Sequence, residues 1–214
     1  MQKQFWNNEK TERSLSTLAF LAGKIDFVLI GGWAVYFYTN AQRSEDVDIA
    51  IRISGLNFFK KYGIEDYGGI NIKYSVIEGT VVDLFIEEYA DRDLPVPVAD
   101  ILKSYTVFNG NIKTVDREML LLLKLWGYFR EDETKLRKDM VDVLSLMLYG
   151  GGVDMKKFGE ILRKYRITRR RSTNVLLEYL DKGETLLEYI GMDKDRYRKE
   201  KKALKAGVKS IITA

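Results

Sequence analysis

Phe27-Val28-Leu29-Ile30-Gly31-Gly32-Trp33-Ala34-Val35-Tyr36, followed by Arg43-Ser44-Glu45-Asp46-Val47-Asp48-Ile49-Ala50-Ile51, is the stretch whose reading decides the fold. The first part is a short apolar run closed by a glycine pair. It reads as a buried strand and turn that open a helix over Trp33 to Tyr38. The second part opens an alternating strand over Val47 to Ile53, with Val47, Ile49 and Ile51 on one face and Asp46, Asp48 and Ala50 on the other. Two like charges side by side on a strand are costly unless a cation neutralises them. Gly31 and Gly32 let backbone amides approach a ligand, and the helix start that follows favours phosphate.

Working outward, Asp83 is the only charge in Val81-Val82-Asp83-Leu84-Phe85-Ile86, a run that can pair beside the aspartate strand. Three carboxylates for hard cations beside a phosphate cradle make the composition of a two-metal site for in-line phosphoryl or nucleotidyl transfer. Solvated strand ends and a plain tight turn are the plainer readings of these acids and glycines. Ile70 to Ile77 and Thr80 to Glu87 are strand-like runs around Glu78-Gly79, a hairpin turn, and Ile112 to Val115 adds a short strand. Glu9 to Leu21 precedes them as an amphipathic helix, and Pro95 and Pro97 mark an extended loop. From Arg117 the pattern turns helical: Glu118 to Arg130, Thr134 to Leu148, Met155 to Lys164, Thr173 to Leu180 and Arg196 to Val208, with Gly150-Gly151-Gly152 as the clearest linker. The expected architecture is α/β (α+β): residues 1–116 with a short mixed sheet, then an α-helical bundle over 117–214 with a basic C-terminal segment.

The chain has 214 residues, net charge +4, and no His or Cys. Those two zeros exclude Ser-His-Asp and Cys nucleophiles, His acid–base chemistry and Cys- or His-ligated metals, leaving oxygen-ligated cations such as Mg²⁺. No cysteine argues for an oxidising compartment. The polar first ten residues lack the apolar core of a signal peptide, and the longest apolar stretch, Met119 to Phe129, is too short for a bilayer. The expectation is a soluble cytoplasmic protein without membrane contact, of thermophile-like composition. Residues 154–214 carry seventeen Lys/Arg against nine Asp/Glu, net +8, which leaves eighteen against twenty-two, net −4, for residues 1–153. A basic half beside an acidic one favours a polyanionic partner, above all through Arg163 to Arg171 and Lys194 to Lys205. Tyr165, Tyr189 and Tyr197 either stack on bases or pack the basic module, and packing is favoured. Trp33 likewise reads as core.

The order of Gly31-Gly32, Asp46-x-Asp48 and Asp83 resembles the nucleotidyltransferase superfamily related to DNA polymerase beta. Within it, the Gly-Gly turn is similar to AbiEii-type toxins and to aminoglycoside and lincosamide nucleotidyltransferases. Lys124, Arg130 and Arg137-Lys138-Asp139-Met140-Val141-Asp142 resemble the helices that follow the core in AbiEii-like proteins. The resemblance implies a minimal nucleotidyltransferase fold and an enzyme of the nucleotidyltransferase class. Asp46, Asp48 and Asp83 would act as catalytic residues and ligands of two Mg²⁺ ions, with an NTP as co-substrate. Gly31, Gly32, Arg43, Ser44 and Lys124 are the nucleotide-binding candidates, although Arg43 equally reads as a surface arginine and Lys124 as a lysine snorkelling from a buried helix. Lys138-Asp139 and Asp142 read as helix-surface residues. Glu45, acidic beside the first Asp of the pair, departs from the pattern.

A cationic antibiotic calls for an acidic acceptor cleft, so the +8 half ranks RNA, most plausibly tRNA, first. A small-molecule nucleotidyltransferase, a protein AMP-transferase and a non-catalytic nucleic-acid-binding or antitoxin-like module follow. A cognate antitoxin protein is the further expected partner.

Overall fold

The computed structural model describes residues 2–68, 72–89, 94–108, 110–129 and 132–213. The chain divides into two compact units: Trp6–Phe37 with Arg43–Asp116, and Met1–Phe5 with Tyr38–Gln42 and Arg117–Ala214.

The first unit is built on one mixed sheet. Helix α1 (Asn8–Ala22) is opened by Asn7, whose side chain accepts from the Lys10 amide at 2.9 Å. Strand β1 (Val28–Ile30), helix α2 (Gly31–Thr39) and strand β2 (Val47–Ile51) follow. After the short helix α3 (Leu56–Phe59) come β3 (Glu65–Asp66), β4 (Lys73–Ile77), β5 (Thr80–Ile86), the single turn α4 (Val98–Ile101), β6 (Tyr105–Phe108) and β7 (Ile112–Val115). The sheet order is β3-β4-β5-β2-β1-β7-β6. β2 lies antiparallel to β1 and parallel to β5, and β1 lies parallel to β7. The expected period of two holds: Val47, Ile49 and Ile51 on β2 and Val82, Leu84 and Ile86 on β5 are fully buried, while Asp48, Val81, Asp83 and Phe85 are half-exposed. The apolar face packs with Leu18, Leu21 and Trp33 in the core. Burying such aliphatic side chains contributes about 1.5–3 kcal/mol each.

Three features depart from the sequence reading. Residues 70 and 71 of the expected Ile70–Ile77 strand lie outside the described residues, and β4 starts at Lys73. β6, a four-residue strand paired antiparallel to β7, was not anticipated. β2 ends at Ile51, where the chain turns into a 3₁₀ segment over Ile53–Gly55.

The second unit is helical: α5 (Arg117–Trp126), α6 (Glu133–Leu148), α7 (Met155–Lys164), α8 (Arg169–Lys182), α9 (Leu187–Ile190) and α10 (Lys194–Thr213). Asp132 and Asp154 cap α6 and α7, each accepting two backbone amides. The expected helix to Arg130 stops as α-helix at Trp126 and tightens to 3₁₀ over Gly127–Phe129; Arg130 lies outside the described residues. The tract Gly150-Gly151-Gly152 connects α6 to α7 inside this unit and separates no domains. All three glycines have positive φ. Arg117 clamps the turn, donating to the carbonyls of Tyr149 (2.6 Å), Gly152 (2.8 Å) and Tyr38 (3.2 Å). A Cβ on Gly150 would stand 2.5 Å from the Tyr38 carbonyl oxygen, so the tract is glycine because a clamp closes on it.

Residues 2–5 belong to this unit as well. Gln2 donates to the Tyr189 carbonyl at 2.5 Å, Gln4 to that of Ala41 at 3.3 Å, and Gln42 to those of Lys3 and Tyr189 at 2.8 and 2.7 Å. Phe5 stacks on Tyr189, with ring centroids 4.4 Å apart.

Candidate active site

The register of β2 on β5 places Asp48 directly opposite Asp83, and on β1 opposite Ile30. Residues opposed in register project to the same side of a sheet, so the two carboxylates share one face and both are half-exposed. Asp46 lies two residues upstream of Asp48, just before β2 starts, and is also half-exposed. Its carboxylate accepts from the hydroxyl of Ser44 at 2.5 Å. Ser44 is fully buried, and its own carbonyl accepts from Ser14 Oγ at 2.6 Å. The Trp33 indole donates to that same Ser14 oxygen at 3.1 Å, so Trp33 is core, fully buried in a chain of bonds that braces the Asp46 loop.

The glycine pair works by proximity. Gly31 opens α2 with φ +71°, and a Cβ placed there would lie 1.8 Å from Asp48 Oδ2. The Asp48 carboxylate therefore occupies the space a side chain would fill, against the amide-rich start of a nine-residue helix. Gly32 is buried within the first turn. Glu45, the departure from the pattern, is ion-paired with Lys10 of α1 at 2.7 Å. Arg43 pairs with Glu12 of α1, and its guanidinium lies 6.0 Å from the Tyr36 ring.

Residues that the sequence did not single out complete the face. The rung holding Asp48 and Asp83 continues outward to Tyr74 on β4 and Glu65 on β3. Tyr74 donates its hydroxyl to Glu65 Oε2, and Tyr67, just past β3, donates to Asp83 Oδ1. The two tyrosine rings stand 4.6 Å apart. Burial and the neighbouring Asp83 carboxylate hold the Tyr67 phenol far above its usual ionisation range, so it is a neutral donor at any physiological pH. Only strand register, which a sequence does not display, brings these side chains onto the rung.

Lys124 belongs to the helical unit. Its ammonium lies 2.7 Å from Asp142 and 3.5 Å from Asp139; both aspartates are buried, and Lys124 keeps a small exposed part. The surface reading of Asp139 and Asp142 is thereby corrected: α6 turns this face inward because Met140, Val143, Leu144 and Met147 around it are core. Burial raises the Asp142 carboxyl above the ordinary carboxylate range, with Lys124 and Lys138 opposing that rise.

The donors on the sheet face are all oxygen, as a hard divalent cation requires. Among the described residues, no group of three or more His, Cys, Asp or Glu side chains is gathered as a finished metal cage. The strands supply the in-register Asp48/Asp83 pair, while Asp46 stands two residues upstream with its carboxylate bonded to Ser44. Among the described residues, no helix is long and apolar enough to cross a membrane.

A search among curated proteins returns no match. The profile of a family described as nucleotidyl transferase AbiEii toxin, type IV toxin–antitoxin system, matches residues 13–211. With nearly the whole length matched and the paired strand aspartates standing over a glycine-opened helix, the chain belongs to the AbiEii nucleotidyltransferase toxin family.

Proposed function

We propose that the chain is a Mg²⁺-dependent enzyme that moves a nucleoside monophosphate from an NTP to a hydroxyl of RNA, with tRNA the favoured form. The observation that carries the reading is the Asp48–Asp83 register, with Gly31 stripped of a side chain to admit the Asp48 carboxylate. Asp46, Asp48 and Asp83 would hold the divalent cations, two Mg²⁺ ions in this reading. Such ions neutralise facing carboxylates and triphosphate oxygens and make an acceptor hydroxyl more acidic. The acceptor oxygen forms its bond to the α-phosphorus of the NTP. The bond from that phosphorus to the oxygen leading to the β-phosphate breaks, pyrophosphate leaves, and Asp83 takes the hydroxyl proton. The amides of Gly31 and Gly32, at the start of α2, suit the departing phosphates.

Charge supports RNA as the acceptor. Lys194 and Arg198 pair with Glu184, and Lys201 and Lys205 pair with Asp181, so half of the α10 cations are engaged in ion pairs that offset two of their charges. Lys199, Lys202 and Lys209 are exposed and, at helical spacing, form one stripe along α10. Arg169 is engaged otherwise: it donates to the Ile211 carbonyl at 3.2 Å, near the C-terminal end of α10. Tyr197 is fully buried and Tyr189 nearly so, so they pack the unit. A cognate antitoxin is the protein partner that a type IV system implies.

Labelled NTPs incubated with the protein, Mg²⁺ and total tRNA test the reading. Label is expected on RNA, and label confined to a polyamine-like small acceptor or to protein would overturn it.

A further inference from the structure

The Asp83 carboxylate accepts from a tyrosine hydroxyl, and the arrangement behind that tyrosine is layered. Tyr67 donates to Asp83 Oδ1. Its ring rests on Tyr74, centroids 4.6 Å apart and planes 30° from parallel. Tyr74 sits opposite Asp83 in the sheet and is anchored by its own hydroxyl to Glu65, its neighbour on the other side. Glu65 and Asp83 are thus two carboxylates on one rung, bridged by two tyrosines. An exposed ring at the sheet surface, 46% accessible, has no packing reason to hold a fixed hydroxyl position without such a brace.

We propose that Tyr67 is a positioning residue for Asp83. Its hydroxyl fixes the plane of the Asp83 carboxylate, and the Tyr74–Glu65 bond holds Tyr67 in place. The inference rests on the nucleotidyltransferase reading of Asp48 and Asp83. Its physical basis is that a free aspartate rotates about two torsions, whereas one oxygen tied to a neutral donor is set before any cation or acceptor arrives, so less freedom is lost on binding. A hydrogen bond to a charged group is strong enough to do this.

The test compares Tyr67→Phe, Tyr74→Phe and Asp48→Asn with the unaltered protein in two measurements. One is the rise in melting temperature on titration with Mg²⁺ alone. The other is pyrophosphate release from NTP in the presence of total tRNA, resolved into kcat and KM. Tyr67→Phe keeps the ring stack and removes only the donor. It is expected to raise the half-saturating Mg²⁺ concentration about fivefold or more in both measurements, and to lower kcat with KM for NTP little changed. Tyr74→Phe is expected to act in the same direction by about twofold, and Asp48→Asn to abolish both responses. An unchanged or lowered Mg²⁺ requirement in Tyr67→Phe, with Asp48→Asn inactive, overturns the positioning role while leaving the nucleotidyltransferase reading in place. Full activity of Asp48→Asn removes that reading and this inference with it.

Discussion

Asp139 and Asp142, one helical turn apart on α6, are buried against the Lys124 ammonium. Asp48 and Asp83, opposite each other on β2 and β5, are half-exposed and are met by a helix-opening glycine and a tyrosine hydroxyl. Each pair sets like charges side by side. In the helical unit the chain places its own cation, largely buried, against that pair. On the sheet both carboxylates are half-exposed, so an ion or substrate from solution can reach them. Like-charged pairs therefore differ in meaning by whether solvent reaches them.

The sharpest way to break this comparison is to neutralise one member of the sheet pair. Asp48→Asn is expected to lower transfer by about a hundredfold or more, the scale of losing a ligand that stabilises transition-state charge. Its melting temperature without Mg²⁺ should stay close to that of the unaltered protein, since an amide fits where the carboxylate now stands. Retained transfer would remove Asp48 from the metal site.

The helical pair should respond in the opposite currency. Lys124→Met removes the ammonium nearest the buried carboxylates, so a loss of about 3 kcal/mol of stability is expected in denaturant unfolding. A change within about 0.5 kcal/mol would show that the ion pair is not holding the bundle. Asp142 adds a pH dependence. Its folded carboxyl is raised above the ordinary range by burial, so its contribution is fully present at low pH and is lost as pH rises through the folded value. Asp142→Asn should flatten that decline, making the variant relatively more stable at pH 7 than at pH 4. Parallel stability–pH curves for the two proteins would refute the assignment.

Gly31 joins backbone and carboxylate, and there the sheet unit is intolerant. Gly31→Ala places a Cβ 1.8 Å from Asp48 Oδ2 at φ +71°, so a stability loss of about 1–3 kcal/mol is expected together with lost transfer. The two losses should appear together, because the same displacement that relieves the clash moves Asp48. Normal activity in Gly31→Ala would mean that Asp48 stands elsewhere during catalysis.

How much of this was legible follows from what each feature depends on. The β2 face, the Gly31 turn and the Glu78-Gly79 hairpin are local patterns of period and turn chemistry, and the structure has them where the sequence put them. β6 carried a local sign as well: in the sequence, the dipeptide Asn109-Gly110 stands between the β-rich runs Tyr105 to Phe108 and Ile112 to Val115, which pair antiparallel. The start of α8 was misplaced because Arg169-Arg170-Arg171 reads as a charge run, although arginine is a good helix former. The burial of Asp139 and Asp142 and the roles of Tyr67 and Tyr74 depend on which helix or strand lies alongside, information held in tertiary packing. The glycine tract at 150–152 misled for the same reason, since the guanidinium that closes on it comes from Arg117, thirty-odd residues earlier.

The smallest expected effect tests the charge side of the comparison. Lys199, Lys202 and Lys209 lie on one exposed stripe of α10, whereas Lys194, Arg198, Lys201 and Lys205 are held by Glu184 and Asp181. Replacing the three stripe lysines by glutamine touches no packed residue, so stability should change by no more than about 0.5 kcal/mol. If the stripe meets RNA phosphates, each lysine contributes about 0.7–0.9 to the slope of log affinity against log salt concentration. The triple variant should then bind tRNA with a slope shallower by about two, read in a binding titration at several salt concentrations. Arg169→Gln is the contrasting change: it uncaps the Ile211 carbonyl, so it should cost stability while leaving the slope within about one of the unaltered protein. An unaltered slope in the triple variant would make the stripe a solvated face, and the search for the acceptor surface would move off α10.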